Sequence, residues 1–391
     1  MADNSGSRWL AVGRSGAKDG REAGTEAARD ALTGPDPRLL VVFGSDTYDL
    51  DALLAGIRDV AGDVPLIGCS TAGEIATAGP SDAGVVVTAL GGAGFAVSTA
   101  VATGASSRLR EAGAEVAASA AEVEDRPHRV LMLLTDGLAG DQQEIVRGAY
   151  GVLGASVPLV GGCAGDDLKM KATHQLHGGE VLRDAVVAAT IASDAPLGIG
   201  VRHGWRRVGD PMVVTRSANN RVHLLDSQPA LDVYLERLDA PGEAREDAAA
   251  FTRFALTHPL GLSRRSGEDQ VRFIGEADFE DRSLGCIAEV PQGGLAWFME
   301  GDDASVLSAT DAACADALEP LNGTAPLGLF AFDCIARRGV LGDAGIQDEV
   351  DRVATSAGGA PVAGFYTYGE IARTHGVSGF HNQTLVVLAL G

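Results

Sequence analysis

The chain has 391 residues, 46% of them hydrophobic, and carries 31 lysines and arginines against 53 aspartates and glutamates, a formal net charge of −22. That length can bury the cores of two or more globular domains, and a field of that sign repels phosphate backbones and anionic lipid, which excludes nucleic acid and membrane surfaces as partners. The polar start Met1–Ser7 lacks the pattern of a secretory signal and the five cysteines form no C-x-x-C pair, so the expectation is a cytoplasmic protein with reduced thiols, no disulfide framework and no structural zinc.

In chain order, Arg8–Gly13 reads as a short strand and Asp19–Leu32 as a helix ended by Pro35 and Pro37. A first unit follows: the apolar run Leu39–Phe43, a crossover helix with Leu50, Leu53, Leu54, Ile57 and Val60 on one face, the segment Pro65–Ile75, and the run Val85–Leu90. Ala83–Ser107 is uncharged over a length that could span a bilayer. Gly91–Gly94 interrupts it, however, and Phe95, Val97, Thr99 and Val101 then alternate, which predicts a buried β-hairpin. After an amphipathic helix over Ser107–Glu124, a second unit repeats the order with Val130–Leu134, a crossover helix through Ile145, Ala149, Val152 and Leu153, Pro158–Leu168, and Val186–Ile191. Strands are predicted at Leu197–Arg202, Met212–Arg216 and Val222–Leu225, a helix at Pro229–Leu238 and an exposed loop at Asp239–Ala250. Further strands are predicted at Val271–Ile274, Leu284–Val290 and Leu295–Met299, the last two joined as a hairpin by Pro291–Gly294, and then a helix at Asp302–Leu318. The third unit has Leu327–Phe332, a short crossover helix marked by Val350 and Val353, Pro361–Ile371 and Leu385–Leu390.

The three segments that begin at Pro65, Pro158 and Pro361 are copies of one cassette. Aligned on proline, each has glycine three residues on (Gly68, Gly161, Gly364), a carboxylate nine on (Glu74, Asp167, Glu370) and an aliphatic residue ten on (Ile75, Leu168, Ile371). The proline suits a strand start, where no ladder donor is needed. The pattern predicts an α/β protein, mixed α+β, built from repeated βαβ-type units that form mixed sheets with flanking helices. Its expected organisation is a pseudo-symmetric two-domain arrangement, residues 1–225 with two units and 226–391 with the third. The cassette loops would line a cleft at the sheet ends, where open α/β sheets place ligands.

The Pro-x-x-Gly-Cys-x-x-x-Gly-Glu of the first half resembles FIST-domain proteins. So do Pro-Ala-Leu-Asp-Val-Tyr-Leu, Val-Arg-Phe-Ile, Pro-Gln-Gly-Gly, Phe-Asp-Cys-Ile-Ala-Arg-Arg and Gly-Phe-Tyr-Thr-Tyr-Gly-Glu-Ile of the second. The resemblance covers an N-terminal region over about residues 25–225 and a C-terminal one over about 226–375, of the stand-alone bacterial type. It implies a sensory module of signal transduction rather than an enzyme, one that binds a small polar metabolite, an amino acid being the usual proposal. It also implies a separate signalling protein as partner, since no output domain is attached. A second implication is haem, since some bacterial members are described as haem-binding nitric oxide sensors; otherwise no cofactor or metal is expected.

Candidate ligand residues follow from the chemistry. Cys69, Ser70, Thr71 and Glu74 occupy the first cassette loop and Cys163 and Asp167 the second. A carboxylate there either locks the turn by accepting backbone donors or faces a cleft and holds an ammonium group. Glu370 lies beside Tyr366 and Tyr368, a combination that makes an amine cage through charge and cation–π attraction. Arg272 and Arg337, both at positions of the family motifs, offer the planar fork that a ligand carboxylate needs, or pair with surface acids. Cys334 ends a strand beside Arg337 and Arg338, a setting for a cysteine-dependent enzyme or for an inert buried thiol. His174, His177 and His203 are the alternative haem ligands. No dinucleotide or phosphate-loop motif is present.

Overall fold

The computed structural model describes residues 7–263, 269–374 and 379–391; of the start Met1–Ser7 read above, residues 1–6 lie outside them. Three six-stranded mixed sheets share one strand order. Each has a lead strand, the return strand of its unit, the first strand of the unit, the cassette strand and a short hairpin. In the first sheet these are Trp9–Ser15, Val85–Gly91, Pro37–Ser45, Leu66–Thr71 and the hairpin Gln175–His177 with Glu180–Leu182. In the second they are Phe95–Thr103, Ala185–Ser193, His128–Thr135, Leu159–Cys163 and Glu370–Arg373 with Phe380–His381. In the third they are Leu197–Arg202, Leu385–Leu390, Gly328–Cys334, Val362–Thr367 and Glu74–Ala76 with Gly79–Ser81.

The hairpin therefore never belongs to the unit whose sheet it completes. The first unit lends its hairpin to the third sheet, the second to the first, and the third to the second, which closes a cycle around three units. Alternation along the strands explains the continuous apolar runs. Leu39, Val41 and Phe43 meet Met132, Leu134, Phe330, Phe332 and Phe365 in one central core, where Phe43 lies 4.7 Å from Phe365 between ring centroids. The opposite faces pack on helix pairs, as Leu40 and Val42 do on Gly20–Ala31 and Leu50–Ala61. Strands buried on both faces read as unbroken hydrophobic runs.

The cassette glycine has a steric cause. Ile75 stands opposite Gly364, Ile371 opposite Gly161 and Leu176 opposite Gly68. A methyl group on Gly364 or Gly161 would sit 1.9 Å from the carbonyl oxygen of Ala331 or Leu133 on the adjoining strand. Gly364→Ala is expected to cost about 1–3 kcal/mol by overpacking. A urea midpoint equal to that of the parent would sink this account.

Residues 203–302 are inserted between the lead strand of the third unit and its helix Asp303–Leu318, and they carry the fourth, eight-stranded sheet. Four expectations need correction. Val85–Gly91 and Phe95–Thr103 form no hairpin: the turn at Gly91–Gly94 carries the chain from the first sheet to the second. Ser283–Cys286 pairs with Arg221–Leu225 and Ile274–Asp278 rather than with Leu295–Glu300, because residues 287–294 cross the tip of the strand Arg206–Ala218, with Gly293 N–H donating to Val214 O at 2.7 Å. Part of the segment read as a loop is ordered as the 3-10 turn Gly242–Arg245 and the helix Ala248–Ala255, whose Phe251 is fully buried. The third crossover is long, Ile335–Ser356, broken at Gly342 with φ 61°, and it buries Leu341 and Ile346 besides Val350 and Val353. No helix among the described residues is long and apolar enough to cross a membrane.

Candidate functional site

The backbone N–H just before each return strand finds a carboxylate. Glu74 accepts from Gly84 N–H at 2.9 Å and Glu370 from Thr384 N–H at 3.1 Å. Each also takes a threonine of its own cassette at 2.6 Å, Thr71 for Glu74 and Thr367 for Glu370. Both are wholly buried, and burial pushes both carboxyls up to about 7 against the threonine hydrogen bonds. These two carboxylates lock turns.

The second unit departs from this pattern. There Asp136, after the strand His128–Thr135, accepts the Asp184 N–H at 2.9 Å and the Thr173 hydroxyl at 2.7 Å. With that role filled from another loop, the cassette carboxylates are released, and the strand position opposite Gly68 falls to Leu176 rather than to Leu168. The extra chain forms a raised loop. Asp166, 1% exposed, pins it by accepting from the N–H groups of Met170, Lys171 and Ala172 at 2.9, 2.7 and 3.0 Å and from the Tyr368 hydroxyl of the third cassette. Burial opposes ionisation of Asp166, but Tyr368 and these donors hold its carboxyl below the ordinary range. Asp167, Leu168 and Met170 take positive φ of 54°, 59° and 52°, left-handed values uncommon outside glycine. Leu168 and Met170 are 62% and 58% exposed as a result.

This loop overhangs a cleft of about 1090 Å³ between the second unit, the third unit and the inserted sheet. Gly137, Leu138 and Gly140–Gln142 supply one side, Cys334, Ile335, Ala336, Gly339, Tyr368, Phe380 and Asn382 a second, and Leu256, Phe273 and Cys286–Glu289 of the insertion the third. Its walls are mainly apolar. At the rim stand Asp141, Glu144, Glu276 and Glu289 with Arg147, which bonds Glu144 at 2.5 Å and Glu289 at 3.2 Å. Gln142, 3% exposed, donates its Nε2 to the carbonyls of Asp136 at 2.8 Å and Gly140 at 3.3 Å. That fixes its amide orientation and leaves Oε1, like Asn382 Oδ1, buried with no hydrogen-bond partner among the described residues.

Topology gives two further positions of the same kind, and both are shut by ion pairs. At the first unit, Lys169 bonds Asp46 at 2.6 Å. At the third, Arg338 bonds Asp82 and donates to the Ala72 carbonyl at 2.8 Å while lying 5.0 Å from the Tyr366 ring centre.

Of the residues singled out from sequence, Tyr368 and Cys334 line the cleft. Cys69, Ser70, Thr71, Glu74, Cys163, Tyr366 and Glu370 are buried away from it, and Asp167 is exposed outside its lining. Arg272 lies just behind the wall, with Nε bonding the Glu289 carbonyl at 3.1 Å. Arg337 is sealed in the interior among Asp333 at 2.7 Å, Glu349, the Thr310 hydroxyl at 2.9 Å and the His203 carbonyl at 2.9 Å. Burial pushes the Cys334 thiol well above its ordinary range, and that of Cys286 up to about 12, so neither is a thiolate at neutral pH. His174 bonds Arg183 at 2.9 Å, His177 bonds Thr99 at 3.2 Å and His203 accepts from Trp205 N–H at 2.9 Å; none of the three lines the cleft. Among the described residues no cluster of histidine, cysteine or carboxylate side chains is arranged to hold a metal ion. Sequence reasoning passed over Gln142, Arg147 and Asn382. The signal for the first was the Gly137–Gly140 loop directly after a parallel strand, the place where such folds bind ligands.

The FIST N domain profile matches residues 38–228 and the FIST C domain profile residues 230–373. A stretch of 155 residues, 38% of this chain, is 26% identical to the uncharacterized protein MJ1623 of Methanocaldococcus jannaschii, and it spans 30% of that protein's length. With both profiles matched in order along most of its length, the chain belongs to the FIST-domain family, whose members are associated with sensing in signal transduction rather than with catalysis.

Proposed function

We propose that the protein is a ligand-sensing input module that takes a small amine-bearing metabolite into the cleft, amino acids being the first class to test. The observation that carries this reading is the contrast among three related positions: at two an ion pair lies across the loop, and at the third a raised loop overhangs an open cleft. A ligand ammonium suits the acidic residues Asp141, Glu144, Glu276 and Glu289 of the cleft, and Tyr368 lines it as an aromatic neighbour. Because the ring of three units and the inserted sheet both contribute walls, a bound ligand stabilises one seating of the insertion on the ring. A cytoplasmic signalling partner would read that seating.

Binding to the folded state stabilises it, by about 2.7 kcal/mol at a ligand concentration of 100 Kd. The test is a thermal-shift and calorimetric screen of amino acids and related amines on the parent protein and on Gly339→Phe. Gly339 lines the cleft and has no atom closer to an added Cβ than Leu256 Cδ1 at 3.8 Å, so a phenyl ring there fills the space without a backbone clash. A ligand that raises the parent's melting temperature should leave this variant unmoved. An equal shift in both proteins would remove the cleft from consideration.

A further inference from the structure

We infer that the ligand recognised in this cleft is a bulky apolar cation, an amine on a large hydrophobic body, and that a free carboxylate on the ligand is selected against. The inference rests on the cleft being the site of an amine-bearing ligand, as proposed above, and within that class it ranks carboxylate-free amines ahead of amino acids.

Size is the first argument. Clefts of about 300–1,000 Å³ hold drug-sized molecules with most of their surface buried, and this one is about 1090 Å³. A free amino acid would leave most of it filled with water against apolar walls. The second argument is where apolar surface has been left in solvent. Leu168, Met170 and Ile287 are 62%, 58% and 43% exposed, and all three rim this cleft. Leu168 and Met170 are held there in left-handed backbone by Asp166. Exposed large apolar groups gathered at one mouth mark a surface that is covered in use.

Charge is the third. Among the described residues the rim carries four carboxylates against one guanidinium, that of Arg147, and two of those carboxylates already engage it. A ligand carboxylate would have to displace Glu144 or Glu289 from it and would meet Asp141 and Glu276 as well. The whole chain, at −22, draws cations toward the cleft and repels anions. Size, exposed apolar rim and charge are independent observations, and all describe the same molecule.

The test is a set of ligands with one body and different heads: 4-phenylbutylamine, 4-phenylbutanol, 4-phenylbutyrate and phenylalanine, titrated calorimetrically into the full chain, its Gly339→Phe variant and a Glu276→Gln/Glu289→Gln double variant. The amine should bind about tenfold more tightly than the alcohol, and the alcohol more tightly than the carboxylate and phenylalanine. The double variant should lose most of the amine's advantage and keep the alcohol's affinity. Raising the salt concentration should narrow the gap in the same way. Equal or tighter binding of 4-phenylbutyrate or phenylalanine, abolished by Gly339→Phe, would overturn the inference and leave the cleft as the ligand site. Binding of none of the four, or binding indifferent to Gly339→Phe, would overturn both.

Discussion

An Arg337→Ala variant is expected to lose about 3–5 kcal/mol of folding stability, read as a fall in the urea midpoint at unchanged slope. Arg337 is entirely excluded from water, and so nearly are Asp333 and Glu349, which it bonds. Burial pushes the Asp333 carboxyl well up, while Arg337 holds Glu349 below its ordinary range against burial. Removing the cation therefore strands negative charge in the interior without the opposite charge that Arg337 supplies. The same guanidinium also holds the Thr310 hydroxyl at 2.9 Å and the His203 carbonyl at 2.9 Å, so it ties the third unit's helix and the start of the insertion to one strand end. Exchanging the pair together, Arg337→Met with Glu349→Met, should recover most of the loss, because well-packed apolar replacements for a buried ion pair are often neutral or better. A single variant that loses less than about 1 kcal/mol would show that the interior is wetter than its burial indicates.

The second large effect is one of pH. Glu74 and Glu370 are both raised to about 7 from 4.5 in the folded state. Between those values the folded chain binds protons that the unfolded chain has released, so the stability they confer is fully present below about 4.5 and is lost as pH rises through 7. Each group accounts for about 3 kcal/mol over that window. His203 acts in the opposite sense: burial lowers it from 6.5 to about 4, so its share is present above 6.5 and is lost as pH falls toward 4. The raw curve mixes the two, and the informative quantity is a difference. Glu74→Gln and Glu370→Gln should each be less stable than the parent at pH 5 and regain ground steadily toward pH 8. A parent-minus-variant difference that stays flat across that range would mean that the two carboxylates are ionised throughout.

How much of this could be read from the sequence turns on what repeats. The three cassettes, their flanking apolar runs and two of the crossover helices were legible because strand and helix periods act over a few residues. The reason for the cassette glycine was not, since the group it avoids lies on another strand. Nor was the exchange of hairpins: Ile75 lies nearly 300 residues from Gly364, which it faces, and no local pattern encodes that pairing. The same limit governs the cleft. Tyr368 and Cys334 drew attention by type and place, but Glu370 and Arg337, equally conspicuous, are consumed by Thr384 and by Glu349, partners that only the fold brings near. In the second unit the turn-locking role passed from the cassette to Asp136. An alignment of the copies by sequence alone therefore assigned the wrong carboxylate to an ordered place, and Asp166 rather than Asp167 holds the loop.

The cyclic lending of hairpins has a consequence for how this protein is made. The hairpin Glu74–Ser81 leaves the ribosome with the first unit, yet the strand it completes, Val362–Thr367, emerges only after the second unit and the insertion. At about 5–20 residues per second that is a wait of roughly 15–60 s with an unpaired edge exposed. The second sheet likewise waits for Glu370–Arg373 and Phe380–His381 of the third unit. None of the three units can finish its own sheet, so a nascent chain offers open strand edges to its neighbours until the third unit has emerged. Yield in the cell should therefore depend on chaperone supply and translation speed far more than the small size of each unit would indicate.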